Sequence, residues 1–380
     1  MFQTPGRNDP CWCDSGKKFK KCHLGREKET PLTRQDFELQ TKKHSQQCCA
    51  SSLNDGLCTK KIINAHTISK SGSLKQIADG GHVMGVKTSL SELDRTGGAM
   101  DIKKVGIKDA STFTGFCSYH DKELFAPLED QAITLSTEQL FLLAYRSTSR
   151  ELYAKNEQLL TVEFSKSADR GMPIHFQWAV QQKAKLEEMG IKLALSELNS
   201  IKAELDAILL NRNFEDLNHF VIECTDIPDV LVSGSTQPDF DFNGSRLQRL
   251  GLESGALSHL IYNAISYDNR GCFVFSWTNS HNDICRRFID ALANLDTSEI
   301  STALVKYCYT YCENTWASPT WWDALDESQA KEIRRRVQIH GINPARSQDM
   351  MPDAFKFDAY RIHKTWLHQS PKLTSSPPVK

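Results

Sequence analysis

The sequence predicts a multidomain α+β protein, and three observations support this fold class. The chain has 380 residues, enough for two or three domains of roughly 100 to 200 residues each. Seven of its twelve cysteines precede residue 120, where histidines also occur. In the middle of the chain apolar residues have helical spacing, and further on they form short β-like runs.

The composition limits the kind of partner, the cellular location and the state of the cysteines that we expect. The 47 acidic and 46 basic residues nearly cancel, so an electrostatic partner must be met by a local patch. The sequence has no run of about 18 apolar residues and no signal-peptide core at Met1–Arg7, so we expect no membrane span and a cytoplasmic location. Because cytoplasmic thiols normally stay reduced, clustered cysteines are expected to be metal ligands rather than disulfides.

The first element is a small head, residues 1–28, that contains the segment GRNDPCWCDSGKKFKKCH from Gly6 to His23. Few apolar residues besides Trp12 and Phe19 are available to form a core, so a metal should supply most of the folding free energy. Three thiolates and one imidazole give the four ligands that a closed tetrahedral Zn²⁺ site requires. The predicted ligands are Cys11, Cys13, Cys22 and His23.

This segment closely resembles the SEC-C motif, known from the C-terminal tail of the preprotein translocase ATPase SecA and from many other bacterial proteins. The resemblance implies one zinc ion and an adaptor role toward proteins, ribosomes or lipid rather than catalysis. Trp12 and Asp14 stand where the family usually has Pro and Gly. Four lysines would be displayed around the site, as a phosphate-binding patch or as a merely solvated face: Lys17, Lys18, Lys20 and Lys21.

The next element, residues 29–47, is predicted to be a polar linker. Residues 48–130 follow and are rich in Gly, Ser and Thr between Gly80 and Gly115, which predicts a loop-rich domain. Two pieces of this region carry Cys and His: CTKKIINAH from Cys58 to His66, and FCSYHD from Phe116 to Asp121. A cysteine pair, a histidine at a strand end and a Cys-x-x-His that opens a helix resemble a diverged treble clef of the HNH endonuclease type.

The HNH resemblance implies a role for each residue of this second group. His66 would be the general base, and Asp121 would be the carboxylate that holds a catalytic Mg²⁺ or Mn²⁺. The structural zinc ligands would be Cys49, Cys58, Cys117 and His120. Cys48 competes with Cys49 for the first position. Three interpretations are open for this region: a second structural zinc, a nuclease site, or buried thiols without metal.

Residues 134–216 predict a long helical hairpin. Ser136 is a candidate N-cap with Gln139 three residues further on, and apolar residues at helical spacing follow. A second helix is expected from Pro173 to about Leu209, roughly 50 Å long at 1.5 Å per residue. Core packing and a partner-binding coiled coil both account for its leucines.

Residues 217–345 predict an α+β domain, and residues 346–380 a partly disordered tail. Asp239 and Asp241 are expected to cap turns, and the tryptophans around Trp316 to pack a core. The predicted strands and helices contain Phe220–Ile222, Val230–Val232, Leu260–Tyr262, Cys272–Trp277, Ile284–Leu295 and Ile300–Tyr311.

Two functions from different classes are therefore predicted. The first is a zinc-binding SEC-C-motif adaptor that meets a protein partner, or nucleic acid, through its head. The second is an HNH-like metal-dependent nuclease in which His66 activates water. Lys60 and Lys61, which precede His66, would give such a nuclease a second basic patch.

Overall fold

The computed structural model describes residues 3–41, 47–53, 55–87, 99–251, 255–342 and 345–374, which have the α+β structure that the sequence predicts. The α-helices are α1 (Arg34–Thr41), α2 (Lys75–Ile77), α3 (Ser118–Glu129), α4 (Thr137–Ser165), α5 (Ile174–Asn211), α6 (Asn282–Ala293), α7 (Thr297–Tyr311), α8 (Pro319–Asp323), α9 (Glu327–Ile342), α10 (Ser347–Met350) and α11 (Pro371–Thr374). The strands are β1 (Ile62–His66), β2 (His82–Val86), β3 (Ile102–Gly106), β4 (Thr112–Cys117), β5 (Asn218–Cys224), β6 (Val230–Thr236), β7 (Leu260–Tyr267), β8 (Arg270–Trp277), β9 (Thr315–Ala317) and β10 (Ile362–His368).

The chain divides into two compact units. We call Met1–Ser45 with Leu152–Glu197 the hairpin unit, and Gln46–Glu151 with Leu198–Lys380 the sheet unit. The head therefore shares a unit with parts of α4 and α5, while the segments 48–130 and 217–345 both contribute to the sheet unit.

The hairpin unit is built on the facing sides of the two long helices. At 1.5 Å per residue, the 38 residues of α5 extend about 57 Å. Val162 of α4 packs with Ala184 and Ile191 of α5 in a small apolar cluster. The segment expected to be a polar linker contains α1, whose Phe37 meets the Phe164 ring edge-on at 5.2 Å. That segment therefore packs on the hairpin instead of only connecting domains.

An eight-stranded antiparallel sheet organises the sheet unit, in the order β10-β5-β8-β7-β6-β9-β2-β3. Every residue of β7 is buried, which is typical of a central strand covered on both faces. Strands β2 and β3 come from the loop-rich region but join this sheet through β9, where Met84 faces Ala317. The region 48–130 is thus physically continuous with the C-terminal strands.

A separate two-stranded sheet positions the second Cys/His group. Strands β1 and β4 pair antiparallel, with Ile62 opposite Cys117 and His66 opposite Thr112. Helix α3 begins directly after β4. Cys117 is the N-cap residue of α3, and its side chain accepts a hydrogen bond from the backbone N–H of His120. Cys117 and His66 therefore lie at opposite ends of this strand pair.

Several expectations about polar and aromatic residues are confirmed. Ser136 caps α4 by accepting the backbone N–H of Gln139 at 3.3 Å. Asp241 accepts the N–H groups of Asn243 and Ser245, as a turn-capping residue does. Trp316 is buried against an apolar cluster.

The cysteines of the C-terminal part, including Cys285, are buried and reduced. The expectation of a partly disordered tail over residues 346–380 is wrong for most of that segment. It contains α10 and β10, and β10 pairs with β5 at the edge of the eight-stranded sheet, while Met350, Phe357 and Tyr360 are buried in the core. Residues 375–380 lie outside the described residues. In the described ranges, no helix combines the length and apolarity needed to cross a bilayer.

Candidate metal centres

The head folds around its cysteines in a short, tightly hydrogen-bonded turn. The Phe19 carbonyl accepts the backbone N–H groups of both Cys22 and His23, at 3.0 and 3.1 Å, which turns these two side chains inward. Asp14 has a φ of 58°, a left-handed conformation that explains why this position favours glycine and tolerates aspartate. The turn brings the four predicted ligands into one group.

These four residues, Cys11, Cys13, Cys22 and His23, could hold a metal ion because their ligand atoms lie within 4.8 Å of one another. The sulfurs of Cys13 and Cys22 are 3.4 Å apart, and Cys11 Sγ is 3.1 Å from His23 Nδ1. Tetrahedral zinc with Zn–S bonds of about 2.3 Å places sulfurs roughly 3.8 Å apart, so only small shifts are needed to bind it. Burial raises the pKa of the Cys11 thiol to about 12, so zinc binding there must release a proton.

A carboxylate from the hairpin completes the surroundings of His23. Asp169 is fully buried, and its Oδ2 is 2.9 Å from His23 Nε2, on the opposite side of the ring from the cysteines. Burial by itself raises the pKa of this carboxyl, but hydrogen bonds from His23, Gln181 and Arg26 outweigh it and hold the pKa below its usual value. Asp169 is therefore ionised, and its carboxylate faces the His23 imidazole as a hydrogen-bond acceptor.

The second group is gathered from three separated segments: Cys48, Cys58, Cys117 and His120. Their ligand atoms also lie within 4.8 Å of one another. His120 Nδ1 is 3.4 Å from the sulfurs of both Cys48 and Cys117. As in the first group, three thiols and one imidazole provide a complete set of four tetrahedral ligands.

The structure brings Cys48, not Cys49, into this group. The backbone N–H of Cys117 donates to Cys48 Sγ at 3.3 Å, which fixes that sulfur beside the β4–α3 junction. Cys49 points the other way and donates its S–H to the carbonyl of Ser149 at 3.6 Å. Adjacent side chains of a turn diverge in this manner, so spacing alone did not distinguish the two cysteines.

The second histidine also faces a carboxylate. Asp55 Oδ2 is 2.9 Å from His120 Nε2, and the hydrogen bond from that ring lowers the pKa of Asp55. Burial raises the pKa of the Cys117 thiol, but hydrogen bonds from the backbone of His120 and from Thr59 oppose burial and lower it to about 6. Cys117 is thus prepared to act as a thiolate ligand at neutral pH.

Neither Asp169 nor Asp55 was identified from sequence. They are 146 and 65 residues from the histidines they contact, and no local motif marks such a distance. Their placement matters because metal-ligating histidines nearly always donate the second ring N–H to a carboxylate, carbonyl or water.

The residues proposed as catalytic lie outside both groups. His66 Nε2 is 3.0 Å from the carbonyl oxygen of Ile107, and burial lowers the pKa of its imidazole. Burial raises the pKa of Asp121, and the charges of Arg146 and His66 act in the opposite direction. A positive charge on His66 thus acts to lower the pKa of Asp121.

The comparisons with known proteins match this chain in its head. The SEC-C motif model matches residues 7–25. The protein translocase subunit SecA of Chloroflexus aggregans (strain MD-66 / DSM 9485) is 78% identical over 27 residues, which are 7% of this chain and 3% of the relative. SecA of Roseiflexus sp. (strain RS-1) is 70% identical over 27 residues, with the same coverage of each chain. The chain thus spans a small fraction of these relatives' length, and no solved structure matches it significantly.

Proposed function

We propose that the chain is a zinc-binding adaptor whose SEC-C head docks a protein partner. The closed geometry of the first group is the main support. Its four ligands are already supplied by side chains, which leaves no open position at which a metal-bound water or substrate could react. A site of this kind stabilises a surface rather than performing chemistry.

The surface stabilised in this way is basic. Phe19 is buried beneath the turn, whereas the neighbouring Lys18 and Lys20 are exposed, as are Lys17 and Lys21. The whole chain carries a net charge of −1, so this local concentration of positive charge is what would attract a partner. An acidic protein segment is the partner class that fits it, and nucleic acid is the alternative with the same charge.

The test is capture of partners from a cell extract on the immobilised, zinc-loaded full chain, with and without nuclease treatment. We expect a protein partner to be captured even after nuclease treatment. This capture should be lost in the quadruple variant in which Lys17, Lys18, Lys20 and Lys21 are all replaced by Gln. A control variant changes four exposed lysines elsewhere to Gln: Lys104, Lys108, Lys183 and Lys331. Capture that disappears with nuclease would assign the head to nucleic acid, and capture unaffected by the head variant would reject the adaptor role.

A metal-dependent nuclease is the second candidate, and the arrangement of β1, β4 and α3 supports it. His66 ends β1, and Asp121 lies in the first turn of α3. Donation of the Nε2 proton to the Ile107 carbonyl leaves the lone pair on Nδ1, and the lowered pKa keeps the imidazole neutral at pH 7. A neutral imidazole of fixed tautomer is what a general base requires.

We rank the nuclease second because the central Asn of the HNH family has no counterpart between Ala110 and Gly115. Its test is cleavage of plasmid or RNA in Mg²⁺ or Mn²⁺. Cleavage that is abolished by His66→Ala but not by His82→Ala, a substitution of an exposed histidine, would promote this candidate. Absence of cleavage by the zinc-loaded wild-type chain would eliminate it.

A further inference from the structure

We propose that zinc in the head fastens the head to the tip of the helical hairpin, and that Asp169 is the positioning residue that transmits this coupling. The proposal rests on the zinc-binding head of the proposed function and adds a consequence for the hairpin. We define the hairpin tip as residues 166–185. This range contains the whole connection between α4 and α5 and the first three turns of α5. All of these residues belong to the same compact unit as the head.

The contact begins at a fully buried carboxylate. Asp169 Oδ2 accepts from Gln181 Nε2 at 2.7 Å, and its Oδ1 accepts from Arg26 Nε at 2.6 Å. Gln181 belongs to the hairpin, whereas Arg26 and the third partner, His23, belong to the head. Two of the three side chains that satisfy this buried charge are therefore supplied by the head.

The orientation of His23 connects this carboxylate to the metal. Nδ1 faces the cysteine sulfurs and would be the zinc ligand, so the proton must be on Nε2, which faces Asp169. Zinc withdraws electron density from the ring and makes this N–H a stronger donor, and the carboxylate in turn makes Nδ1 a better ligand. By linkage, the factor by which docking tightens zinc binding is the factor by which zinc tightens docking.

Backbone contacts show that the head and the tip approach closely. The N–H of Gly171 donates to the carbonyl of Arg26 at 3.1 Å. Gly171 has a φ of +73°, and a Cβ there would lie 2.6 Å from the Cγ of Pro31, three residues after the head ends. Near the start of α5, Lys185 forms an ion pair with Asp14 of the head. The tip thus fits against the folded head at several points.

Without zinc, so small a head loses most of its folding free energy. Asp169 would then keep Gln181 but lose His23 and Arg26, which leaves a buried carboxylate without a cationic or metal-polarised donor. Opening of the tip, which hydrates this carboxylate, is the favourable response. The hairpin tip is therefore ordered when zinc is bound to the head and opens when zinc is absent.

Hydrogen exchange measured by mass spectrometry on the full chain, as a function of free zinc concentration, tests the coupling. The free zinc concentration at which amides of the tip become protected reports the affinity of the first group alone. We expect Asp169→Asn to raise this midpoint about tenfold to hundredfold. The control is Glu188→Gln, which removes a carboxylate of the same hairpin whose partners are Lys166 and Lys192. It should leave the midpoint within about twofold.

A second variant separates coupling from simple misfolding. His23→Cys converts the group to four thiolates, which still satisfies zinc but has no ring nitrogen to reach Asp169. We expect this variant to bind zinc, as shown by protection of its own head amides, while zinc protects its tip much less than in the wild-type chain, because only the Arg26, Gly171 and Lys185 contacts remain. Zinc-dependent tip protection in His23→Cys as large as in the wild-type chain, or an unshifted midpoint in Asp169→Asn, overturns the proposal.

Zinc titration of the wild-type chain distinguishes failure of the coupling from failure of the proposed function. If zinc protects the amides of the head but not those of the tip, the coupling is wrong and the adaptor proposal stands. If zinc protects neither, the head does not bind zinc, and the proposed function fails with the coupling.

Discussion

The two Cys/His groups have the same ligand types but are assembled in opposite ways. The first lies between Cys11 and His23, in one continuous turn. The second combines Cys48, Cys58 and the Cys117–His120 pair, and it forms only when β1, β4 and α3 come together. A continuous group stabilises its own small turn, whereas a dispersed group ties distant segments of a larger domain. Loss of metal should therefore have local consequences in the first case and global ones in the second.

The largest expected effect comes from the dispersed group. Cys48→Ser should lose one zinc per chain and lower the free energy of unfolding by about 4 kcal/mol or more, because a metal that links three segments is lost. For a unit of this size the melting temperature should fall by roughly 10 °C. Cys49→Ser is the matched control, since this neighbouring sulfur is outside the group. Calorimetry with elemental analysis measures both, and equal effects of the two substitutions would contradict the assignment.

A third buried histidine shows what happens without a carboxylate. His219 contacts Ser276 Oγ through Nδ1 at 2.9 Å, and its Nε2 has no hydrogen-bond partner among the described residues. Burial lowers its pKa to about 3, against 6.5 for the exposed group. The unfolded chain therefore binds this proton first, so stability is fully present above pH 6.5 and decreases as the pH falls toward 3.

Between pH 7 and pH 5 this one histidine should cost about 2 kcal/mol of unfolding free energy. Denaturant titration of the wild-type chain and of His219→Gln at both pH values measures the difference. The variant should be less sensitive to pH by about that amount, and an identical pH dependence would show that His219 is protonated at little cost.

The carboxylate at the second histidine sharpens the comparison further. Asp55→Asn should weaken zinc binding at the dispersed group by about tenfold, the lower end of the usual effect, because Asp55 is partly exposed. Asp130→Asn, at an exposed position at the end of α3, is the control. Competition with a chromogenic chelator gives the affinity. Unchanged affinity would mean that the two histidines are held differently despite their similar geometry.

The smallest effect on overall stability is expected from the continuous group. Cys22→Ser should release the zinc of the head while changing the unfolding free energy of the sheet unit by less than about 0.5 kcal/mol, because the substitution is outside that unit. Thermal unfolding followed by calorimetry tests this directly. A shift as large as that of Cys48→Ser would show that the two groups are not energetically separate.

These differences also explain how much could be read from the sequence. The ligands of the head were identified together because their spacing is local. The long helices were predicted from periodicity and strands β5 to β8 from their short apolar runs, and Ser136 was predicted as a cap from a four-residue pattern. Strands β9 and β10 were not predicted, and β10 lies in the segment expected to be a partly disordered tail. Cys48 could not be separated from Cys49, since that choice depends on the direction of a turn next to β4. Asp169 was not found, because its role depends on a contact over 146 residues.

The eight-stranded sheet constrains the order in which the chain can fold during synthesis. Strands β2 and β3 are complete by Gly106, but β9, which pairs with the other edge of β2, begins only at Thr315. At about 5 to 20 residues per second, a ribosome needs roughly 10 to 40 seconds to make the intervening chain. During that interval β2 exposes an unpaired edge, and an exposed edge invites aggregation. A nascent chain of this protein should therefore depend on chaperones in that window, long after its N-terminal turn could have captured zinc.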